Sequence, residues 1–343
     1  MLNVAGVGVG ALGRFELRLL SEMDGVDVVG AADPSPEARE AVTAELDVPA
    51  YENYRDLLDS EPVDAACVVT PHTRHYEQAR ECLDRGVHVH LEKPMVTDVD
   101  HAHDLIDRAD SRELVLAVGY QRHLDPRFRE IRRVVDEGRI GEPHMVSCFL
   151  EQAWIEVTRG RWRTDPALSG GGQLYDSGSH LLDSLLWTTR SVPVSVAATV
   201  DRLGNAVDVN SALAVTLERE GDGRGPGGGA KITASVGVSG DGQSTPEPGE
   251  GFQIWGTEGS VSFDGETIEV ASDGITYTST PEIPSFEALT RRKLANFVDA
   301  VRGEAELEIS AEDGLRVTAL TEAAYEAAER GVTVNVRELL TPT

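Results

Sequence analysis

Residues 2–14 read LNVAGVGVGALGR, an apolar run interrupted by Gly8, Gly10 and Gly13, and the amphipathic stretch GRFELRLLSEM (13–23) follows at once. A short apolar run that gives way within one turn to a helical pattern opens a strand–turn–helix unit. The G-x-G-x-x-G spacing permits a tight turn and a close approach of the backbone to a pyrophosphate, and the helix N-terminus then stabilises the phosphates through its free amides and its dipole. Alone the pattern is common. Here the second strand-like run, VDVVGAAD (26–33), ends in Asp33, twenty residues past Gly13, where a carboxylate can accept hydrogen bonds from an adenosine ribose. Gly8, Gly10, Ala11, Leu12, Gly13 and Asp33 are therefore expected to bind a dinucleotide. The alternative is a glycine-rich turn followed by an aspartate that caps the next helix at DPSPE. Asp33 repels a 2′-phosphate and favours NAD over NADP, while Arg39, a turn and a half beyond, keeps NADP open.

Outward from this unit the alternation continues: SPEAREAVTAEL (35–46), VDAACVVT (63–70), HYEQARECLDRG (75–86), VHVHLEKP (87–94), DHAHDLIDRAD (100–110) and LVLAVGY (114–120). Strands separated by helices of ten or more residues imply crossover units and a doubly wound parallel sheet. After Tyr120 the pattern changes. A helical stretch, DPRFREIRRVVDEGRIG (125–141), leads to EPHMVSCFLEQAW (142–154), then to SALAVTLER, AKITASVGV, GFQIWG, GSVSFDG, TIEVAS and GITYTS between 211 and 279. In SALAVTLER, Leu213, Val215 and Leu217 share one face, as in an antiparallel sheet covered on one side. The Gly-, Pro- and acid-rich stretches 221–229 and 239–251 read as mobile hairpin loops. Two helical stretches close the chain. The fold class expected is α/β: a Rossmann domain over 1–121, then an α+β domain over 122–343 with a large, mostly antiparallel open sheet.

Composition narrows the partners. The 343 residues, 40% hydrophobic, suffice for two sizeable cores. No basic leader or long apolar span is evident, so a soluble, cytoplasmic protein is expected. A formal charge of −28, from 59 acidic residues, repels nucleic acid and anionic membranes. Only Lys93, Lys231 and Lys293 are lysines among the 31 basic residues. Acid excess with scarce lysine suits a salt-rich cytoplasm, where the Debye length falls to about 3 Å at 1 M, or else a genome that favours arginine. Cys67, Cys82 and Cys148 are too few and too scattered for a disulfide framework or a CxxC metal site, and read as packed thiols.

Two further stretches carry chemistry. The run ending at Val69 is followed by TPHTRH (70–75) and the run VHVHL by EKP (92–94), so Thr70, Pro71, His72, His75, Glu92 and Lys93 are expected at the ligand-binding edge of the sheet. A lysine there can donate to a substrate hydroxyl and favour negative charge on its oxygen, with a proton affinity that burial can tune; it can equally cap the strand, paired with Glu92. In WRTDPALSGGGQLYDSGSHLLDSLLW (162–187), Gly170, Gly171 and Gly172 read as a flexible lead-in to a helix. Asp176 and His180, four apart, share one face at its start. An Asp that orients a His makes a general base suited to an alcohol proton; the pair can also be an N-capping aspartate beside a half-exposed histidine. Asp183 is a poor third metal ligand, and no metal is expected.

The ordered set of motifs resembles the Gfo/Idh/MocA family of sugar and cyclitol oxidoreductases. It comprises the G-x-G-x-x-G turn, EKP, GYQRHLDPRF (119–128), GRIGEP (138–143), WR (162–163), GGGQLYDSGSHLLD (170–183), IWGTEGSVSFDG (254–265) and the C-terminal helices. The resemblance covers nearly the whole chain. It implies an enzyme that moves a hydride between NAD(P) and a secondary alcohol of a sugar, sugar acid or inositol, with Lys93, Asp176 and His180 as the catalytic group. His180 would take the hydroxyl proton, Asp176 orient it and Lys93 polarise the same oxygen, with Lys93 and His180 able to exchange roles. It also implies Thr70, His75, Glu92, Gln121, Trp162 and Arg163 around cofactor or substrate. Arg122 and Tyr175 are candidate substrate contacts, or else a domain-boundary ion pair and a core tyrosine. A homodimer or homotetramer through the C-terminal sheet is implied. Other relatives hydrolyse glycosides through transient oxidation on a retained NAD, or bind sugar or nucleotide as regulators without chemistry.

Overall fold

The computed structural model describes residues 1–220, 229–242 and 249–341. Of the loops expected at 221–229 and 239–251, residues 221–228 and 243–248 lie outside them, while residues 239 and 249–251 belong to strands. The chain forms two compact units: 1–121 with 285–315, and 122–284 with 316–343.

In the first unit, β1 (Leu2–Val7), α1 (Ala11–Ser21), β2 (Val26–Ala32), α2 (Pro36–Leu46), β3 (Ala50–Tyr51), α3 (Tyr54–Ser60), β4 (Ala65–Val68), α4 (His75–Asp84), β5 (His88–Leu91), α5 (Val99–Ser111) and β6 (Leu116–Val118) follow in order. The six strands pair in the order β3-β2-β1-β4-β5-β6, all parallel. Strand order reverses at β1, so the loops after β1 and β4 diverge and leave a crevice at the strands' C-terminal edge. Nearly every residue of β1 is buried, as expected where helices cover both faces of a sheet. Local chemistry sets the helix starts: Ser35 caps α2 through Ala38 N with Pro36 in its first turn, and Asp98 caps α5 through His101 N.

The second unit opens with α6 (Pro126–Asp136), capped by Asp125. It continues through β7 (Pro143–Glu151), α7 (Trp154–Thr158), α8 (Pro166–Ser169), α9 (Ser179–Thr189), β8 (Ser191–Asp201), β9 (Asn210–Arg219), β10 (Lys231–Ser239), β11 (Gly249–Gly256), β12 (Gly259–Phe263), β13 (Ile268–Ser272) and β14 (Ile275–Ser279). Its nine-stranded sheet runs β14-β13-β12-β11-β7-β10-β9-β8 and ends on β15 (Val334–Asn335). All its pairs are antiparallel except β7 with β10. Leu213, Val215 and Leu217 are buried together with Val146, Cys148, Ile232 and Val236 on the covered face. The other face leaves Met145 and Phe149 exposed among Ser147, Ala212, Ala214 and Ser235.

Before β15 come α10 (Phe286–Val301) and α11 (Ala311–Arg330). Leu294, Phe297 and Val298 of α10 join Leu17, Leu19 and Leu20 of α1 in the first unit's core. Segment 285–315 therefore packs with the first unit, whereas the sequence reading had assigned it to the second; its apolar stripe complements the one on α1. The three cysteines are free and buried. Among the described residues no helix is long and apolar enough to cross a membrane.

Candidate functional site

The glycine turn is built as its spacing requires. Gly8 has φ +86°, and a Cβ there would come within 2.3 Å of the Val69 carbonyl oxygen; one on Gly13 would come within 2.0 Å of the Gly8 oxygen. At Gly10, the N-cap of α1, a Cβ would meet nothing within 4 Å, and no side chain caps the helix. Uncapped amides beside open space are what a pyrophosphate needs. Asp33 Oδ2 accepts from Val9 N and Oδ1 from Ser35 N, both at 2.9 Å, so the carboxylate fixes the turn and retains a lone pair on each oxygen for ribose hydroxyls. Arg39 donates from Nη1 to the carbonyls of Asp33 and Pro34 at 2.7 and 3.0 Å. The residues present fit a dinucleotide.

Beyond β4 and β5, at the same sheet edge, stand the two other predicted segments. Thr70 Oγ1 donates to Gln78 Oε1 at 2.5 Å. His75, fully buried, faces the Pro94 carbonyl with Nδ1 at 2.8 Å and the Thr70 carbonyl with Nε2 at 2.9 Å. Its ring therefore ties the loop after β4 to the loop after β5. Burial pushes its proton affinity down, and the two carbonyls oppose that. His72 is buried beside it, with ring centroids 6.0 Å apart. Lys93 is half-buried, and its peptide bond to Pro94 is cis.

The neighbour of Lys93 reveals what the sequence reading did not reach. Glu92 Oε2 accepts from Lys93 N at 3.2 Å, while Oε1 receives the ammonium of Lys293 from α10. Lys293 Nζ also donates to Glu16 Oε1 of α1 at 2.7 Å. Lys293 is 3% exposed, Glu92 7% and Glu16 0%, so one ammonium is shared by two carboxylates inside the core. Gly119 makes room for the group: a Cβ there would lie 2.5 Å from Glu92 Oε1. His90 and Cys67, neighbours across β4 and β5, complete the pocket. Burial is the largest single influence on Glu92 and opposes its charge, but the attraction and hydrogen bond of Lys293, with His90 and Lys93 adding to them, together outweigh it and hold the carboxyl at about 2. Burial raises Glu16 to about 7 against the pull of Lys293. Burial and the same ammonium push His90 down to about 3, which leaves it neutral, and burial keeps the Cys67 thiol protonated.

In the second unit, Asp176 lies within a π-helical turn, Leu174–Gly178, that runs into α9 and carries His180 at its second residue. Such turns recur at functional sites because they displace a side chain from the regular helical register. Asp176 does not cap the helix. Its Oδ2 accepts from the Trp154 indole Nε1 at 2.8 Å and from Arg163 Nε at 2.9 Å, and the Arg163 guanidinium stacks 4.4 Å over the Trp162 ring. The His180 carbonyl accepts from Arg122 Nη1 at 3.3 Å and from Ser184 Oγ at 2.8 Å. Arg122 also pairs with Glu250 Oε2 at 2.5 Å. Gln121 closes the first unit's N-terminal segment. Lys93 belongs to the first unit, and Asp176 and His180 to the second.

The glycines ahead of this turn are tightly packed, which corrects the expectation of a flexible lead-in. A Cβ on Gly172 would meet the Asp208 carbonyl oxygen at 2.0 Å, and one on Gly171 would meet the rings of Tyr175 and Tyr325. Buried Asp208, a residue without a sequence signal, accepts from Gly172 N at 2.6 Å, Leu174 N at 2.9 Å and Tyr325 Oη at 2.6 Å. Tyr175 is buried against Tyr325, with centroids 5.4 Å apart.

Comparison with known proteins agrees with both halves of this geometry. Residues 2–120 match the oxidoreductase family described as an NAD-binding Rossmann fold, and residues 128–262 match the GFO/IDH/MocA C-terminal domain. An inositol 2-dehydrogenase of Rhizobium meliloti is 25% identical over 332 residues, covering 93% of this chain and 94% of that protein. A D-xylose 1-dehydrogenase [NADP(+)] of Haloarcula marismortui is 30% identical over 152 residues, 44% of this chain and 42% of that one. The crystal structure of an NAD-binding protein from Listeria innocua superposes with a TM-score of 0.77 at 30% identity, covering 97% of this chain and 96% of that chain. With both characteristic domains present in order and relatives aligned nearly end to end, the chain belongs to the GFO/IDH/MocA family of oxidoreductases.

Proposed function

We propose that the protein oxidises a secondary alcohol of a sugar, sugar acid or inositol, or runs the reverse reduction, with NAD favoured over NADP. The observation that carries the reading is the position of Lys93 one residue beyond Glu92 at the end of β5, on the edge of the parallel sheet that also carries the Gly8–Gly13 turn and Asp33. The nicotinamide, when bound, supplies the site for the hydride. His180 takes the hydroxyl proton as an imidazole general base. Asp176 stabilises the charge that develops there, and its Oδ2, fixed by Trp154 and Arg163, costs no reorganisation during the reaction. Lys93 donates to the substrate oxygen as a compact ammonium; a guanidinium is bulkier and always charged.

The Asp33 carboxylate supports NAD, since it would face a 2′-phosphate, and the carbonyls that occupy Arg39 draw its guanidinium toward the backbone. The exposed Met145 and Phe149 on a sheet face otherwise lined by small residues support self-association through that face. The charge of −28 supports a requirement for concentrated salt. The test is a screen of polyols, inositols and aldoses with both cofactors, in dilute and molar KCl, followed by the ultraviolet absorbance of the reduced cofactor. Turnover with a polyol or aldose supports the reading. Tight cofactor binding without turnover of any of them would sink it.

A further inference from the structure

Lys293 does something that neither the motifs nor the hydride chemistry requires: it reaches from α10 into the first unit's core and ends on the carboxylate next to Lys93. Three facts set its effect. The Glu92 carboxylate is bound on one oxygen by Lys293 and on the other by the Lys93 amide, so the turn and the ammonium are joined through a single planar group. The ammonium has a second claimant in Glu16, at 2.7 Å on Oε1, whose Oε2 has no hydrogen-bond partner among the described residues. The other titratable groups around the pair are His90, neutral, whose Nδ1 lies 3.9 Å from Glu16 Oε2, the protonated Cys67 thiol, and the Lys93 ammonium, which acts on Glu92.

We propose that Lys293 is a positioning residue for the Glu92–Lys93 turn and that Glu16 decides how completely its ammonium is given to Glu92. This rests on the reading of Lys93 as the group beside the reacting oxygen. With Glu16 protonated, the charge of Lys293 is balanced by Glu92 alone, although its ammonium can still donate to the carbonyl oxygen of the Glu16 carboxyl. With Glu16 ionised, the ammonium is shared, and the uncompensated part of the Glu92 charge acts on the next cation along the chain, Lys93, which already stabilises that carboxylate. Burial places this change of state near neutral pH. A carboxylate remote from substrate thereby tunes the electrostatic environment of the proposed active-site lysine.

The three lysines of the chain make a direct test practical. Trace acetylation with acetic anhydride, read by mass spectrometry, gives the rate at Lys93 relative to exposed Lys231 without substrate or cofactor. In the wild type the Lys93 to Lys231 ratio should fall between pH 6 and pH 8 by roughly threefold, the size expected of one partly screened charge a few ångströms away. In E16Q it should stay at its low-pH value, with far-UV circular dichroism unchanged. A flat wild-type ratio overturns the proposal even if E16Q fails to fold. So does the same fall in both proteins, or a stoichiometric transition metal held by Glu16, Cys67 and His90, whose donor atoms lie within 4.8 Å of one another. An unchanged labelling response in a protein that turns over no polyol would sink the catalytic reading and leave the positioning of Lys93 standing.

Discussion

Replacing Glu16 by glutamine should stabilise the protein above neutrality although it deletes half of a buried ion pair. Burial raises the Glu16 carboxyl from 4.5 to about 7. Between those values the folded chain keeps a proton that the unfolded chain has released, so this group's contribution is fully present below pH 4.5 and is lost as pH climbs to about 7. At about 1.4 kcal/mol per tenfold change in proton affinity, that loss amounts to about 3 kcal/mol. Glutamine copies the neutral form at every pH. E16Q should therefore match the wild type near pH 4.5 and exceed it by about 3 kcal/mol at pH 8. His90 works in the opposite sense, its contribution fading as pH falls from 6.5 toward 3, but it is present in both proteins and cancels in the difference. Guanidinium unfolding at constant ionic strength measures the effect. Because Trp154, Trp162, Trp187 and Trp255 all lie in the second unit, their fluorescence follows that unit, while far-UV circular dichroism adds the first. A difference that stays constant from pH 4.5 to pH 8, or one that favours glutamate at pH 8, refutes the reasoning.

Four other outcomes are expected. Lys93→Arg should lose turnover by two or more orders of magnitude while NAD affinity, measured by titration, is largely kept; near-wild-type turnover would make Lys93 a strand cap. Asp33→Ser should raise the NADP to NAD ratio of kcat/KM by about tenfold, since that corresponds to about 1.4 kcal/mol of relieved repulsion; an unchanged ratio would remove Asp33 from cofactor choice. Asp208→Asn weakens the acceptor for Gly172, Leu174 and Tyr325 and should cost about 1–3 kcal/mol. It should lower kcat more than it raises KM, because the turn that moves carries Asp176. Thermal stability should rise from dilute buffer to molar KCl, as a net charge of −28 predicts once the Debye length falls to about 3 Å; a flat response would leave the composition to codon usage.

The sequence reveals the parallel half of the molecule because its signal is local. Gly8 and Gly13 occupy positions where a side chain would strike backbone, and Asp33 lies one crossover away, so spacing alone places them. Asp208 and Trp154 escaped notice for the opposite reason. Each acts on a turn 20 or more residues away, and neither changes the local pattern. The Lys293 cluster is an intermediate case. Glu16 falls on the apolar stripe of α1 with Leu17 and Leu20, and Lys293 on that of α10 with Leu294 and Phe297. Opposite charges on two apolar stripes are the visible trace of a buried pair, because neither charge would be tolerated there alone. Read together they would also have carried α10 into the first unit.

That the first unit is discontinuous has a consequence in time. A nascent chain that has emerged as far as Gln121 has all six strands of the parallel sheet but not α10, so Leu17 and its neighbours lack Phe297, and Glu16 and Glu92 lack their shared cation. At about 5–20 residues per second, the roughly 180 residues from 122 to 301 take about 10–40 s to synthesise. For that interval the half-built sheet must be sheltered, and its two stranded carboxylates are the part of the core least able to close over water.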